Sequence, residues 1–158
     1  MTPAYLAGFL DGEGSIGFAR CRTSIFPRVF ITNTNIEILE LFKEQFGGDI
    51  KPLSKRKEGW KQGYCWRLSW TPAVMFLDLL SPYLVIKIDQ AITVFAWNAI
   101  RLGRGRVSPE ARSEYEDSCD LLLNRIRWLN KKGPTTEPDP IEAYLPSKAG
   151  RKKPAKKK

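Results

Sequence analysis

Apolar residues recur along this chain with two different periods, and the switches between them mark out its elements. Helical spacing comes first. Thr2-Pro3 reads as a cap followed by a first helical residue, because proline lacks the N–H that a helix start leaves unpaired. The apolar stretch Ala4–Leu10 runs on until Gly12 and Gly14 stop it, which leaves Asp11 and Glu13 at or just past the helix end. Ser15–Arg22 then alternates as a strand does, with Ile16 and Phe18 against Ser15, Gly17 and Ala19. Arg20 and Arg22 fall on the Ile16/Phe18 side, so the strand either outruns the core or carries a bulge. Thr23–Pro27 reads as a turn, and Arg28–Asn33 as a second strand with Val29 and Ile31 opposite Arg28, Phe30 and Thr32.

Thr34-Asn35-Ile36-Glu37 has the form of a capping box, opening a helix with Ile38, Leu39, Phe42 and Phe46 on one face and Gly47-Gly48 at its end. Asp49–Leu53 and Gln62–Trp70 form a predicted hairpin around a long basic loop. In its second arm Tyr64, Trp66, Leu68 and Trp70 make the core face, and Arg67 points the other way. Three further pairs repeat the cap-then-proline device: Thr71-Pro72, Ser81-Pro82 and Ser108-Pro109. They predict helices near 72–80, 83–102 and 109–130, the last ended by Gly133-Pro134.

A strand pair follows each of the first two helices, which is not a βαβ alternation. The expected fold is α+β, an αββαββα core whose four-stranded antiparallel sheet has helices on one face and extra helices after it. The other face is free and carries Arg28, Lys51 and Arg67. A twisted antiparallel ribbon enters the major groove of DNA, where side chains of period two reach successive base edges. Residues 1–132 are expected to form the domain, and 133–158 a Pro-rich, basic, disordered tail.

At 158 residues the chain suffices for one domain with a real core. No apolar run is long enough for a membrane, and the start MTPAYLAG has neither a basic n-region nor an Arg-rich transit pattern. Of the formal charge of +9, residues 148–158 contribute +7, so charge alone says little about the folded part. Within it, residues 20–67 hold ten Lys/Arg against five acids, concentrating positive charge where the strands lie. Cys21, Cys65 and Cys119 are read as bland buried or half-buried thiols in a reducing compartment. There is no histidine, which excludes Ser-His-Asp and Cys-His nucleophiles and histidine metal sites. An enzyme built from this chain works with carboxylates, lysine, metal ions and water. Gly12–Gly17 also spells G-x-G-x-x-G, with Glu37 near the ribose-binding position. That fingerprint needs a strand before its glycines and a helix after them, and here the order is reversed.

The two acids stand where the negative end of a helix dipole disfavours them, and a divalent cation is the obvious compensating partner. Ala4, Ala7, Gly8 and Asp11 share one face, nearly bare backbone, which lets a second helix approach closely. Leu6–Gly14, LAGFLDGEG, resembles the motif of the LAGLIDADG homing endonucleases. Leu6, Ala7, Gly8, Asp11 and Gly14 match it outright, Phe9, Leu10 and Gly12 are similar in kind, and Glu13 is a conservative swap for the last acid. One copy is visible, and the order of elements extends the resemblance over roughly residues 2–130.

The resemblance implies a homodimer with motif helices packed through Ala4, Ala7, Gly8 and Asp11, each protomer reading half of a long pseudo-palindromic duplex site. It implies Mg²⁺, or Mn²⁺ or a non-cleaving Ca²⁺, held over the minor groove by Glu13 from both protomers and the Gly12 carbonyl. Both strands would be cut to leave short 3′ overhangs. Asp11 is read as structural, tying the helix end or the partner helix. Lys87 interrupts the apolar run 83–86 and resembles a lysine beside the family's active site, although a snorkelling surface lysine reads as well. Asn33 is a candidate water-orienting amide, and Thr32–Asn35 is equally a good turn. Arg20, Arg22, Arg28, Phe30, Lys51, Lys55 and Arg67 are candidate DNA contacts, while Trp60 reads as a core anchor before a stacking residue. Neither a membrane nor a nucleotide cofactor is expected, and the setting is intracellular, in an organelle or a microbial cytoplasm. The same scaffold also serves RNA maturases in intron splicing and non-cleaving DNA-binding regulators.

Overall fold

The computed structural model describes residues 1–22, 24–54, 57–101, 108–131, 133 and 136–143. Lys55 and the basic run from Lys148 onward lie outside the described residues.

The first helix, α1, runs from Pro3 to Glu13, and Thr2 caps it by accepting from the Tyr5 N–H at 3.4 Å. Its inward stripe is Leu6, Ala7 and Leu10, all fully buried. Gly14 turns the chain straight into β1 (Gly14–Cys21). A Cβ there would stand 2.6 Å from the Leu10 carbonyl oxygen, so the close approach requires glycine. β2 (Ser24–Asn33), α2 (Ile36–Phe46), β3 (Asp49–Pro52) and β4 (Tyr64–Ser69) follow, then α3 (Thr71–Leu80), a 3-10 turn over Ser81–Tyr83, α4 (Ile88–Ile100) and α5 (Pro109–Leu129). The strands form one antiparallel sheet in the order β1-β2-β4-β3, as the α+β reading requires.

β2 starts earlier than its pattern suggests. Residues 24–27, read as a turn, pair with β1 as far as Ser24 opposite Cys21. Pro27 is tolerated because β4 ends at Ser69 opposite Arg28, so the missing N–H breaks no ladder bond on that side. Asn35, not Thr34, caps α2, its side-chain oxygen accepting from the Glu37 N–H at 2.9 Å. The helix expected from residue 83 begins at Ile88, because residues 84–87 are held open by an interaction taken up below.

Burial follows period two. Ile16, Val29, Ile31, Trp66 and Leu68 form the sheet's inner face, covered by Leu39 and Phe42 of α2, Phe76 and Leu77 of α3, and Ala91 and Val94 of α4. Trp66 donates its indole N–H to the Gly47 carbonyl at 2.8 Å, so this buried aromatic leaves no polar group unpaired. A second cluster at the β1–β2 tip gathers Ile25, Trp97, Cys119, Leu122 and Leu123. Burial pushes the Cys119 thiol up; Cys65 is half-buried, and Cys21 is exposed rather than covered. The packed chain continues past the boundary expected at residue 132. Ile141 joins the second cluster, and Asp139 pairs with the half-buried Arg125 at 3.1 Å. No helix among the described residues is long and apolar enough to cross a membrane.

Candidate active site and nucleic-acid interface

The two acids of α1 have opposite fates. Asp11 turns towards the segment before α4 and accepts from three main-chain N–H groups there: Val85 at 2.8 Å, Ile86 at 3.2 Å and Lys87 at 2.9 Å. A carboxylate at a helix C-terminus is thus offset by the N-terminal donors of another helix. These bonds replace the ones residues 85–87 would make as helix, which is why α4 starts late. Asp11 is structural, as expected, but what it ties is its own chain. The Lys87 ammonium donates to the Asp11 main-chain oxygen, a cation at the carbonyl end of α1.

Glu13, two residues on, is exposed and takes no ion-pair or hydrogen-bond partner among the described residues. It lines an open cleft of about 370 Å³ with Thr32, Asn33, Thr34, Leu53 and Gly63. The structure therefore brings Glu13 and Asn33 together and leaves Lys87 outside the cleft's lining, at the helix end. Asn33 ends β2 rather than lying in a turn over 32–35; its side-chain oxygen accepts from the Asn35 N–H at 2.9 Å, and its amide N–H groups take no partner among the described residues. No cluster of three or more His, Cys, Asp or Glu among the described residues could hold a metal. One protomer offers Glu13 and the Gly12 carbonyl, too few oxygens for a hard divalent ion unless a second copy adds its own.

Of the four residues assigned to a helix–helix contact, Ala4 and Gly8 are exposed, whereas Ala7 is fully buried in its own core and Asp11 is committed to residues 85–87. The open stripe of α1 is Ala4, Gly8 and Gly12, spaced by four. Added Cβ atoms at Gly8 and Gly12 would meet nothing within 4 Å among the described residues, so no packing there requires glycine at either position. Beside the stripe stand exposed Tyr5, Val85 (80%) and Ile86 (69%).

On the sheet, Phe26, Arg28, Phe30 and Thr32 alternate with the buried residues of β2 and so share its open face. The register sets Phe30 beside Arg67 and Thr32 beside Cys65, which is itself opposite Lys51. Arg67 is held by Asp49 at 3.4 Å. Arg20 is not on this face. Period two carries it to the inner side, where Asp120 of α5 pairs with it, so it is lost as a sheet contact. Arg22 stands exposed in the hairpin turn with φ 55. Trp60 is 56% exposed with the Lys57 ammonium 5.9 Å from its ring centroid, and is not a core anchor. Trp70, assigned to the core by alternation, is also exposed. The signal for it lay in the junction: β4 runs into α3 with no residue between for a turn other than Trp70 itself.

No protein-family profile matches this chain, and neither does any curated protein sequence. Solved structures do match. The homing endonuclease I-CvuI, crystallised with its target and Ca, is 20% identical with a TM-score of 0.63, over 93% of this chain and 92% of that one. The archaeal intron-encoded homing endonuclease I-Vdi141I, complexed with DNA, is 18% identical with a TM-score of 0.60, over 92% and 94%. The LAGLIDADG homing endonuclease I-SmaMI, bound to cleaved DNA, is 18% identical with a TM-score of 0.57, over 93% of this chain but 48% of that one. The fold of this chain is that of the LAGLIDADG homing endonucleases.

Proposed function

We propose that the protein is a homodimeric, divalent-metal-dependent, sequence-specific double-strand DNA endonuclease of the LAGLIDADG homing type. One observation carries the reading: Glu13 is exposed at the end of α1, without a partner among the described residues, beside the bare stripe Ala4, Gly8 and Gly12. Pairing two copies along that stripe brings two Glu13 carboxylates together, with Val85 and Ile86 of each copy covered at its margin. Mg²⁺ is the expected ion, held by both Glu13 side chains and the Gly12 carbonyls. When bound, such ions supply an activated water and shield the charge that develops on phosphate.

The chain's own residues do the rest. The free amide N–H groups of Asn33 orient water or a phosphate oxygen in the cleft. Lys87, fixed by its bond to the Asp11 main-chain oxygen, adds positive charge near the reacting group. Phe30, Arg28, Lys51 and Arg67 face the major groove of one half-site, with Arg22 towards the phosphates. Binding weakens steeply with salt as phosphate contacts release counterions. Such an enzyme acts inside a cell, in an organelle or a microbial cytoplasm.

The test is cleavage of duplex DNA carrying randomised palindromic sites, with Mg²⁺ and with EDTA, by wild type and Glu13→Gln. Specific double-strand cuts that vanish with EDTA or with the substitution, while the variant still shifts the DNA, are the expected result. Specific binding without cutting would favour the regulator, and a preference for folded intron RNA the maturase.

A further inference from the structure

Trp70 sits where the pattern of its strand does not put it. Trp66 and Leu68 are the buried positions of β4, so alternation carries residue 70 to the same helix-covered side. Its backbone instead takes φ 64 and ψ −144, a region closed to nearly every residue but glycine. Its N–H still donates to the Pro27 carbonyl at 3.0 Å, so the main chain follows β2 while the side chain is turned out. The indole is 46% exposed and lies flat on Phe26, with ring centroids 4.2 Å apart and planes within 6°. Strain of this kind persists only where the surroundings over-determine it, and it collects where a side chain must be held in one place.

What the stack holds is Arg28. Phe26 and Arg28 are neighbours on the open face of β2, and the guanidinium carbon lies 4.9 Å from the Phe26 ring centroid. Arg28 Nε is buried with no hydrogen-bond partner among the described residues. No carboxylate among the described residues pairs with Arg28, whereas Arg20 and Arg67 each have one. Across the sheet it faces Gly17 on β1 and Ser69 on β4, so small residues flank it on both sides. A guanidinium stacked on an aromatic ring has lost most of its rotamer freedom before any ligand arrives.

We infer that Trp70 and Phe26 are positioning residues that fix the Arg28 guanidinium as a guanine reader within each half-site. Guanine is the base whose O6 and N7 accept the two parallel N–H groups of the arginine fork. A phosphate contact needs charge more than orientation, and a strained tryptophan brace is superfluous for it. The inference rests on the proposed sheet–DNA contact, and its test separates the two.

Wild type is used to select its site from a randomised duplex library, and the selection is repeated with Arg28→Lys, Phe26→Leu and Trp70→Gly. Lysine keeps the charge and loses the fork. Glycine removes the indole and is at ease at the positive φ, so Trp70→Gly separates bracing from folding. The expected outcome is a guanine preference at one base pair per half-site that falls about tenfold or more in Arg28→Lys. Phe26→Leu and Trp70→Gly loosen that same base pair severalfold and leave the others, with the melting temperature of Trp70→Gly unchanged or raised. An unchanged selection profile with a lowered melting temperature in Trp70→Gly overturns the inference, and the stack is then packing alone. So does a uniform loss of affinity in Arg28→Lys, the mark of a phosphate contact, or loosening at a different base pair in the brace variants. If wild type selects no site, the nuclease reading itself fails and takes this inference with it.

Discussion

The two sides of the α1 C-terminus differ more than two acids separated by one glycine suggest. On one side the Asp11 carboxylate is saturated by the N–H groups of residues 85–87, and Lys87 closes over the main chain. On the other, Glu13 stands open in a cleft with Asn33. The first acid acts on folding: it joins α1 to the start of α4 and so fixes where the helix end lies. The second has no such partner among the described residues, and an unspent carboxylate held in place by its neighbour is suited to a ligand. Both sit against the same unfavourable helix dipole, but only Asp11 has its compensation inside the chain.

The contrast is broken most directly by exchanging the burdens of the two residues. Glu13→Gln should lower cutting about a hundredfold or more while moving unfolding free energy by no more than about 0.5 kcal/mol. Strand cleavage assayed alongside urea unfolding reads both numbers, and a large loss of stability would erase the distinction. Asp11→Ala should do the reverse first, costing about 2–3 kcal/mol as backbone donors lose a charged acceptor. Asp11→Asn, which keeps one acceptor oxygen, should recover part of that, and equal losses in the two variants would mean that the charge and not the bonding matters.

The glycines sharpen the same comparison at smaller amplitude. Gly14→Ala should destabilise the protomer by about 1–3 kcal/mol, since its Cβ meets the Leu10 carbonyl. Gly8→Ala, with open space around it, should raise helix stability in the protomer by about 0.5–1 kcal/mol. It should weaken self-association at the same time, because the bare stripe is the proposed approach surface. Sedimentation equilibrium reads the association and thermal unfolding of dilute protein the stability; a Gly8→Ala chain that associates as wild type does would place the interface elsewhere.

Much of this arrangement was legible in the chain itself. Period-two alternation gave the inner and open faces of β1 and β2 correctly, because one buried face fixes the register of a whole strand. The cap-then-proline pairs located α1 and α5, where the cap's side chain bonds within its own turn. The motif singled out Glu13 and Asp11, and the glycine after them, from nine residues. These signals are local: each is carried by residues within one turn or one strand.

Other features were settled by groups far apart in sequence. Ser81-Pro82 carries the same signal as Ser108-Pro109, yet it opens only a 3-10 turn, since Asp11, more than seventy residues earlier, takes the N–H groups that would have continued the helix. Arg20 reads as a free cation until Asp120 of α5 is folded against it. Ala7 belongs to the bare face of an isolated helix, but in the folded chain it lies fully buried in the core. Trp70 follows the strand pattern in sequence and abandons it in space, where Phe26 offers a flat ring. From the chain alone come the order of helices and strands and the two acids at the end of α1, though not every boundary. Folding settles which of those polar groups are already spent on one another, because a hydrogen bond or ion pair across the fold has no period to read.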